Sequence, residues 1–387
     1  MSTENKNMPR LRFPGFTGEW VEKKLGEVAT FRRGVTITAK DTKKGDVPVI
    51  AGGQTPSYFH NVSNREGETI AISASGAYAG FVSFWNIPVF LSDSFSVETK
   101  NELFKKFTFY YLKHQQNKLF LMQKGAGVPH VHGLDVGNLL IPYPSLVEQQ
   151  KIAECLTAID DLIVAQGKKV DALKEHKKGL MQQLFPQPGE TTPRFRFPGF
   201  TGEWVEKKIN EIFDFRQGFQ CPIDLQSMHQ KEGYVRFIRI IDLTQTTEPP
   251  RYIENPGLGY YVNKDDLFMV RYGSPGLVGY GYEGVIANNL FKLLPKVDMC
   301  TKLYKYILTY LYADIVALCP INVLPAINFT SLGCLRISFP PSLAEQQKIA
   351  ECLSELDALI ADEAKQLDAL KEHKKGLMQQ LFPQPTK

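Results

Sequence analysis

The chain carries one sequence framework twice, and this tandem repeat limits the possible folds more than any other feature. Three runs occur in two copies: RFPGFTGEWVEKK at residues 12–24 and 196–208, EQQKIAECL at 148–156 and 345–353, and DALKEHKKGLMQQLFPQP at 171–188 and 368–385. The intervening segments, roughly 25–147 and 209–344, hardly match. A framework repeated with unlike inserts is expected for a protein that reads two different targets at a set separation, whereas an enzyme with one active site has no need of it.

Each copy ends in a segment with the heptad pattern of a long helix. Apolar residues recur at alternating steps of four and three over residues 146–184 and again over 343–381, which is the 3.5-residue period of a left-handed coiled coil. Prolines flank both segments, and Ser145 and Ser342 each stand three residues before a glutamate, as in a capping box. At about 1.5 Å per residue, each helix has a predicted length of roughly 58 Å.

Four polar residues interrupt the apolar seams of these helices: Gln166, Lys177, Glu363 and Lys374. A parallel pair would bring Lys177 against Lys374, which is repulsive. An antiparallel pair in which the interruptions coincide would bring Lys177 to Glu363. The same register would bring Gln166 to Lys374, and buried polar pairs of this kind fix register. We therefore predict an antiparallel pair within the chain; the alternative is that the four side chains extend to water.

Composition excludes several classes of protein without indicating a function. The net charge of +4 permits an anionic partner but does not argue for one. No stretch reaches the roughly 18 apolar residues of a membrane span, and the start MSTENKNMPRLRF lacks the apolar core of a secretion signal. The six cysteines form no CxxC pair, so neither a zinc site nor a disulfide framework is expected. We expect a cytoplasmic protein with no membrane partner.

The residues that open the helical segments resemble those of type I restriction-modification specificity (S) subunits. PSLVEQQKIA at 144–153 and PSLAEQQKIA at 341–350 resemble the beginning of the conserved spacer helices of that family. Family-like motifs also lie in the variable segments: VPVIAGG at 47–53, ISASG at 72–76, LLIPYP at 139–144, RFIRIID at 236–242, VRYGS at 270–274 and PAIN at 325–328. Each motif alone is weak, but their order, which occurs twice with a long helix between, is specific and covers nearly the whole chain.

The repeat and the resemblance together predict the architecture. We expect an α+β fold in which two globular target-recognition domains are joined by two long helices, with the helices forming an intramolecular antiparallel coiled coil of pseudo-two-fold symmetry. The predicted parts are a first recognition domain with its entrance segment at 1–145, a first spacer helix at 146–185, a second recognition domain with its linker at 186–342 and a second spacer helix at 343–382.

The resemblance also implies a function and partners. Each recognition domain would read one half of a split site in double-stranded DNA, and the helices would set the unread gap; half-sites near 34 Å apart, about one DNA turn, suit such a reader. Two methyltransferase (M) subunits, which methylate adenine, and restriction (R) subunits would join the chain. S-adenosylmethionine, ATP and Mg²⁺ would belong to those partners. The chain itself would be a non-catalytic subunit without a cofactor.

The predicted DNA contacts are glycine-rich polar loops with their basic neighbours, because lysine and arginine hold phosphates while base edges supply discrimination. In the first domain they are Arg32, Arg33, Lys40, Lys43, Lys44, Gln54, Ser57, Tyr58, Ser75, Tyr78, Lys124 and His130. In the second domain they are Arg216, Gln217, Gln220, Arg239, Arg271, Tyr272, Ser274, Asn288 and Asn322. For each residue the alternative is an ordinary solvated loop side chain.

Two of these positions correspond directly between the copies. Arg32 and Arg216 keep the repeat offset, so a shared phosphate contact or structural role is expected for them. Their neighbours differ, and Arg33 suits guanine whereas Gln217 suits adenine. Lysines at 168–178 and 365–375 are a further candidate for contact with the spacer backbone, with a solvated face or a surface for the partner subunits as alternatives.

The motifs of the relevant enzymes are missing from the sequence. There is no GxxxxGK[ST] phosphate loop and no Asn-Pro-Pro-Tyr or Asp-Pro-Pro-Tyr stretch. A nuclease site would need Asp93 and Glu98 to converge on a metal, yet residues five apart on one strand point to opposite faces. His130 and His132 would suit two metal ligands on one strand face, but no further ligand is evident nearby, so we predict no metal site and no catalytic residue.

Two other functions stay open on the sequence. One is a self-sufficient methyltransferase or nuclease, against which the missing motifs argue. The other is a coiled-coil adaptor that binds proteins rather than DNA, since two unlike globular domains in a repeated framework fit that role almost as well on physical grounds.

Overall fold

The computed structural model describes residues 8–100, 103–187, 189–245, 248–320 and 325–383. The chain divides into two compact units, and the first of them draws on both ends of the sequence. The first unit contains residues 1–168 and 364–387, and the second contains residues 169–363. Within the described ranges, no helix is both long enough and apolar enough to cross a membrane.

The first globular domain is mainly built from short strands. Its strands are β1 (Val21–Lys24), β2 (Ala29–Arg33), β3 (Val47–Ile50), β4 (Tyr58–His60), β5 (Thr69–Ser73), β6 (Val82–Trp85), β7 (Phe90–Leu91), β8 (Ser94–Thr99) and β9 (Leu140–Tyr143). Its helices are α1 (Leu25–Val28), α2 (Leu103–His114), α3 (Gln116–Leu121) and α4 (Gly133–Gly137), and the long helix α5 (Leu146–Leu184) follows. The main sheet has the order β2-β8-β5-β6, a second sheet has the order β4-β3-β7, and β1 pairs with β9.

The second domain repeats this plan with one added strand. Its strands are β10 (Val205–Lys208), β11 (Phe213–Gln217), β12 (Tyr234–Ile238), β13 (Arg251–Glu254), β14 (Tyr261–Val262), β15 (Leu267–Val270), β16 (Val278–Gly279), β17 (Gly284–Ile286), β18 (Leu290–Pro295) and β19 (Arg336–Phe339). Its helices are α6 (Ile209–Ile212), α7 (Ile240–Thr244), α8 (Thr301–Tyr310), α9 (Tyr312–Ala317), α10 (Phe329–Cys334) and the long α11 (Leu343–Leu381), with 3₁₀ turns at Ile223–Leu225 and Leu258–Tyr260. The sheets have the orders β11-β18-β15-β16, β13-β12-β17-β14 and β10-β19.

The central strand β5 shows why this sequence forms two layers. Side chains alternate across a strand. Ile70 and Ile72 therefore enter the main apolar core, while Ala71 enters a smaller core under the second sheet with Leu91. All five residues of β5 are buried, as expected for a strand covered on both faces.

The two long helices pair antiparallel within each unit, as predicted. In the first unit, Ile152 and Leu156 near the start of α5 share a core with Leu381 at the end of α11. In the second unit the roles are exchanged, and Leu184 at the end of α5 shares a core with Leu353 near the start of α11. The apolar positions of both heptad seams are buried or half-buried along their length. The residues of the 3.5-residue period therefore form the face along which each long helix packs.

The end of each long helix also completes the core of the domain in its unit. Phe382, just after α11, is 1% exposed, and its ring lies 5.5 Å from Phe107 and 5.7 Å from Tyr111 of the first domain. Phe185, just after α5, occupies the corresponding place in the second domain, 5.3 Å from the ring of Tyr310. The phenylalanine of the repeated Leu-Phe-Pro sequence therefore fills part of the apolar core once in each unit.

The start of each long helix is held by a buried ion pair. Arg12 donates two hydrogen bonds to Glu148, at 2.6 and 2.8 Å, and the carboxylate is 2% exposed. Arg196 makes the same pair of bonds to Glu345, both at 2.8 Å. The backbone N–H of each glutamate lies 3.4 Å from the serine hydroxyl three residues earlier. Half of the expected capping box is thus present, while the glutamate side chain binds arginine.

The polar partners along the helices differ from the predicted ones. Lys177 forms its ion pair with Asp357, and Glu363 forms a 2.6 Å ion pair with Lys169. From the first pair to the second, the residue number decreases along α5, from 177 to 169, and increases along α11, from 357 to 363. The helices are therefore antiparallel, as predicted. The predicted ion pair between Lys177 and Glu363 is wrong. The symmetry-related Lys374 pairs with Asp160, not with the predicted Gln166, which is half-buried.

The reason lies in the globular domains, which supply part of each polar cluster. Tyr306 donates a 2.7 Å hydrogen bond to Asp357, and Lys305 lies 3.1 Å from the same carboxylate. Burial acts to raise the pKa of Asp357, but the bonds from Lys177 and Tyr306 outweigh it, and the pKa is lowered. In the first unit, Tyr110 donates a 2.8 Å bond to Asp160. A carboxylate fixed in this way is a better partner for lysine than a glutamate on the helix alone.

Replacing Asp357 by asparagine is expected to lower the free energy of unfolding by about 1–3 kcal/mol, because two half-buried lysines lose their anion. Asp160→Asn is the matched variant and is expected to cost less, since in the described part of the chain Asp160 forms an ion pair with one lysine, Lys374, whereas Asp357 pairs with both Lys177 and Lys305. Urea unfolding of both variants measures the difference. An equal or larger loss for Asp160→Asn would contradict the two-lysine account.

The same ion pair predicts an acid dependence. Because the folded pKa of Asp357 is lowered, its stabilisation is complete above the ordinary aspartate value of about 3.9 and is lost as the pH falls through the folded value. The stability difference between wild type and Asp357→Asn should therefore be constant near neutral pH and shrink below about pH 4. A difference that grew on acidification would oppose this assignment.

Candidate nucleic-acid interface

Several strand ends of the first domain meet at one edge. The chain leaves β2, β3, β5 and β7 at this edge and enters β8 there, as the sheet pairings require. Backbone hydrogen bonds join these ends, from Gly34 to Ser94, from Ser92 to Ile50 and from Ala74 to Asp93. We call this region the strand-end edge of the first domain. Loops that start from such an edge are held by the sheets at their roots and stay open to a ligand at their tips.

The second domain has the same edge with the same bonds. The equivalent backbone hydrogen bonds run from Gly218 to Leu290, from Ala287 to Ile238 and from Arg271 to Asn289. The chain returns to the edge after α3 in the first domain and after α9 in the second. There Val131 donates to the carbonyl of Ala74, and Ile327 donates to that of Arg271. Two unlike sequences therefore build one backbone frame.

Glycine is required where β2 and β11 leave their sheets. A Cβ at Gly34 would overlap the carbonyl oxygens of Leu91 and Ser92, and a Cβ at Gly218 would overlap those of Ile286 and Ala287. Since backbone atoms cannot move aside as a side-chain end can, any larger residue must push the strand ends apart. These two glycines keep the same offset as the arginines that precede them.

Most predicted DNA contacts of the first domain lie at this edge or in the loops beside it. Those with exposed side chains are Arg32, Arg33, Lys40, Lys43, Lys44, Gln54, Ser57, Tyr78, Lys124 and His130. One of these side chains is already paired, because Lys124 forms a 2.8 Å ion pair with Asp135. The backbone N–H of Lys43 donates to His60, which anchors the loop and leaves the Lys43 side chain exposed. Tyr58 is half-buried, and Ser75 is 7% exposed with its hydroxyl on Asp93. Ser75 is therefore a structural residue of the edge.

The structure brings several of the predicted residues into direct contact. In the first domain, backbone bridges connect His130 with both Ser75 and Lys124. In the second domain, Arg271 donates a 2.8 Å hydrogen bond to the side-chain oxygen of Gln217, whose amide donates to the backbone oxygen of Asn288. Both ends of the half-buried Gln217 amide are therefore bonded within the domain, and these bonds fix the Arg271–Gln217 pair beside the strand ends.

The other predicted residues of the second domain have mixed settings. Arg216, Gln220 and Tyr272 are exposed. Arg239 is committed elsewhere, because its guanidinium pairs with Asp242 and Glu248. The hydroxyl of Ser274 donates to the carbonyl of Gly273. Asn322 lies outside the described residues.

The side chains carried by the common frame differ sharply between the two domains. Phe329 of the second domain stacks on Phe215 at 5.4 Å, and the guanidinium of Arg271 lies 4.8 Å from the Phe329 ring. The first domain has Gly133 in place of Phe329 and Ala74 in place of Arg271. A groove of about 960 Å³ opens there, lined among others by Phe31, Arg33, Ala74, His130 and His132.

Comparison with known proteins identifies the family. The model of the type I restriction modification DNA specificity domain matches residues 17–175 and again 201–372, which together are most of the chain. The chain belongs to this family. It is 25% identical over 412 aligned positions to the type I restriction enzyme MjaVIII specificity subunit of Methanocaldococcus jannaschii, covering 97% of this chain and 94% of that one.

Solved structures share the fold of this specificity-family chain. The S subunit of a type I restriction-modification system from M. genitalium aligns over 98% of this chain and all of that chain, with a TM-score of 0.70 and 18% identity. A chain from work on complex assembly and conformational transition of the type I R-M system aligns over 97% of this chain and 99% of that one, with a TM-score of 0.57 and 20% identity. At these identities the likeness concerns the fold.

One residue that shapes the first specificity domain was missed by the sequence reasoning. Arg65 is 5% exposed and donates hydrogen bonds to the hydroxyl of Ser96 and to the carbonyls of Arg32 and Arg33. Burial lowers its pKa, and the nearby charge of Arg32 adds to this effect. Arg65 therefore fixes the backbone from which two predicted DNA contacts project. A lone arginine after a polar turn gives no sequence signal of burial.

Little in the described parts of the specificity domains suggests metal chemistry. No group of three or more potential metal-ligating side chains occurs among the residues that the structure describes. The rings of His130 and His132 lie nearly parallel with centroids 6.4 Å apart. Asp93 accepts the Ser75 hydroxyl, which gives that carboxylate a structural use. The edge offers cations, amides and aromatic rings, which suit recognition of an anion or a base.

Gly34→Ala and Gly218→Ala are each expected to lower the free energy of unfolding by about 1–3 kcal/mol, because the new methyl group must displace backbone carbonyls. Gly179→Ala is the control. It lies in α5 with nothing within 4 Å of the added Cβ, so alanine should stabilise by about 0.5–1 kcal/mol. Thermal or urea unfolding measures all three variants. A neutral Gly34→Ala would show that the strand ends are not closely joined.

Proposed function

We propose that the chain is the DNA specificity subunit of a type I restriction-modification complex, and that each specificity domain reads one half of a bipartite site in double-stranded DNA. The observation that carries this proposal is the common backbone frame with unlike side chains at its edge. A backbone frame that occurs twice indicates that both domains perform the same kind of task. Different side chains on it mean that the two targets differ, as the two halves of an asymmetric DNA site do.

The residues at the strand-end edges fit base reading. Arg33 and Gln217 occupy equivalent places just before the close-packed glycines, and both lie at the ends of rigid strands. Arginine pairs well with guanine and glutamine with adenine in the major groove. The exposed Lys40, Lys43 and Lys44 follow β2 in the next loop and suit phosphate contacts, which position a protein without specifying sequence.

The paired helices fit the task of setting the gap between the half-sites. Each has 39 residues, so each is about 58 Å long if straight. Packed helices resist bending because their cores are dense. A separation of about 34 Å, one DNA turn, between half-site centres lies within reach of such a pair.

The catalytic work would belong to partners. Two methyltransferase subunits that use S-adenosylmethionine to methylate adenine would dock on the chain, and restriction subunits with ATP and Mg²⁺ would complete the assembly. Support comes from the specificity-subunit relatives and from apolar side chains left open on the helices. Leu162 and Val164 of α5 are each 55% exposed. The proposal assigns no catalytic group and no cofactor to this chain.

Equivalent substitutions in the two domains should change opposite halves of the site. Arg33→Ala is expected to relax base selection in the first half only, and Gln217→Ala in the second half only, each by roughly 1–3 kcal/mol, or about fivefold to 150-fold. Genome-wide mapping of methylated adenines in cells that express each variant with its partners measures this. If either variant altered both halves equally, the assignment of one half-site to each domain would be wrong.

Lengthening both helices should lengthen the gap. Insertion of one heptad into α5 and one into α11 keeps both apolar seams and adds about 10 Å, which corresponds to about three base pairs. Methylation mapping should then show the same two half-sites with a longer spacer. A matched variant with four inserted residues in α5 alone breaks the pairing and should lose activity. An unchanged spacer in the heptad variant would rule out the helices as the measuring element.

A further inference from the structure

A basic groove lies in the first unit and shares no lining residue with the groove at the strand-end edge. It has a volume of about 670 Å³ and runs between the α2–α3 junction and the C-terminal half of α11. Lys113 and Lys118 line one wall, and Lys371, Lys374 and Lys375 line the other. The remaining lining residues are neutral or histidine, and none is aspartate or glutamate.

Two lysines of this groove, Lys113 and Lys374, lie close enough for the charge of one to disfavour that of the other. The ammonium of Lys113 is held at 3.0 Å from the carbonyl of Val82. Burial lowers the pKa of Lys113, and the charge of Lys374 lowers it further. Three of the groove lysines have a carboxylate partner outside the lining: Lys374 pairs with Asp160, Lys371 with Asp368 and Lys375 with Glu372. The pairs of Lys371 and Lys375 are exposed, and exposed ion pairs are weak, so these two lysines stay available to an anion that enters the groove.

A buried polar atom in the groove also lacks a partner. His114 lines the groove, and its Nε2 is buried without a hydrogen-bond partner in the described structure. Burial lowers the pKa of this imidazole, so it is neutral near pH 7. A neutral imidazole that carries its proton on Nε2 donates one hydrogen bond. An oxygen of a bound anion is a suitable acceptor.

The second unit provides an internal comparison. Its helix wall is nearly identical, because Lys174 and Lys178 on α5 repeat Lys371 and Lys375 on α11. The wall from the domain differs: Asp314 stands at the place of Lys118, and threonine and tyrosine replace Lys113 and His114. Lys113 and Lys118 are therefore the part of the groove's charge that the first domain supplies and the second domain lacks at these positions, whereas Lys371, Lys374 and Lys375 belong to the repeated helix.

We propose that this groove binds backbone phosphates of the DNA beside the first half-site, an inference that rests on the proposed function. One lining residue connects the groove to the segment that follows Tyr78, because Gln116 donates to the carbonyl of Gly80 and accepts from the N–H of Val82, the first residue of β6. Lysine ammonium groups bind phosphate as point charges without reading sequence. The groove thus adds affinity to the first half-site, while the strand-end edge adds discrimination.

The internal repeat supplies a matched test. The double variant Lys371→Ala/Lys375→Ala is compared with Lys174→Ala/Lys178→Ala, which changes the same sequence in the second unit, and with Lys118→Asp, which copies Asp314. Each chain is purified in complex with its methyltransferase subunits. The dissociation constant for a fluorescent duplex carrying the mapped site is measured over a series of KCl concentrations.

The groove variants should lower the slope of log K against log salt by about 0.9 for each phosphate that the protein no longer neutralises, so by about 2 for the Lys371/Lys375 pair. The Lys174/Lys178 pair should leave the slope unchanged. Binding to duplexes without the site should weaken in parallel, because phosphates carry no sequence. Lys118→Asp should lower the slope by about 1 or more.

Three results would overturn the phosphate groove. The first is equal slopes for the two lysine pairs. The second is an unchanged slope with loss of the methyltransferase subunits, which would assign the groove to an acidic protein surface. The third is an unchanged slope with loss of inorganic phosphate binding, which would assign it to a free anion. Methylation mapping of the same variants distinguishes the failure of the groove from the failure of the proposed function. A bipartite methylation motif with an unchanged salt slope would refute the phosphate groove alone. A lowered salt slope without a bipartite motif would refute the proposed function alone.

Discussion

The structure depends on the antiparallel pairing of two copies of one helix, because neither globular domain has a complete core without it. The first domain closes over the start of α5 and the end of α11, and the second closes over the start of α11 and the end of α5. Phe382 and Phe185 show this most clearly. Phe382 follows α11, most of which lies in the second unit, yet it is buried in the first unit. Phe185 follows α5, most of which lies in the first unit, yet it is buried in the second unit. Folding of either domain therefore requires both copies of the framework.

This exchange explains which parts of the sequence are duplicated. The run that ends in Leu-Phe-Pro must fit the other copy's domain, and the entrance arginine must reach the glutamate that opens its own helix. Both contacts use residues of the near-identical runs, with domain residues such as Tyr110 and Tyr306 placed to meet them. The segments between the runs are constrained where strands pair, where apolar side chains fill the cores, where Tyr110 and Tyr306 meet the helices and where glycine lets strands approach. Side chains at the strand-end edges are free to differ, and recognition can vary there without loss of the fold.

The architecture could be predicted well from the sequence, because the heptad period and the tandem repeat determine where the long helices and the two domains lie. Heptad spacing located both long helices to within a residue or two of Leu146–Leu184 and Leu343–Leu381. Heptad spacing could not predict the partner of Lys177, because the position of Asp357 depends on Tyr306 and Lys305 from a distant part of the chain.

The interface was predicted less evenly, for a similar reason. The repeat offset pointed correctly to equivalent positions at Arg32 and Arg216, and loop composition drew attention to Arg271 and Gln217, which prove to be bonded to each other. Loop composition did not reveal that Ser75 and Arg239 are occupied by neighbouring carboxylates. Whether the exposed candidates touch DNA stays a prediction.

The most direct measurement is the methylation motif produced by a chimera in which the first variable segment, residues 25–147, is replaced by the second, residues 209–344. The account predicts a site with two identical halves in inverted orientation, both equal to the second half of the parent motif, because both copies of the framework then carry the same recognition segment and their helices run antiparallel. A motif that keeps the parent first half, or one that repeats the second half in direct orientation, would contradict the account.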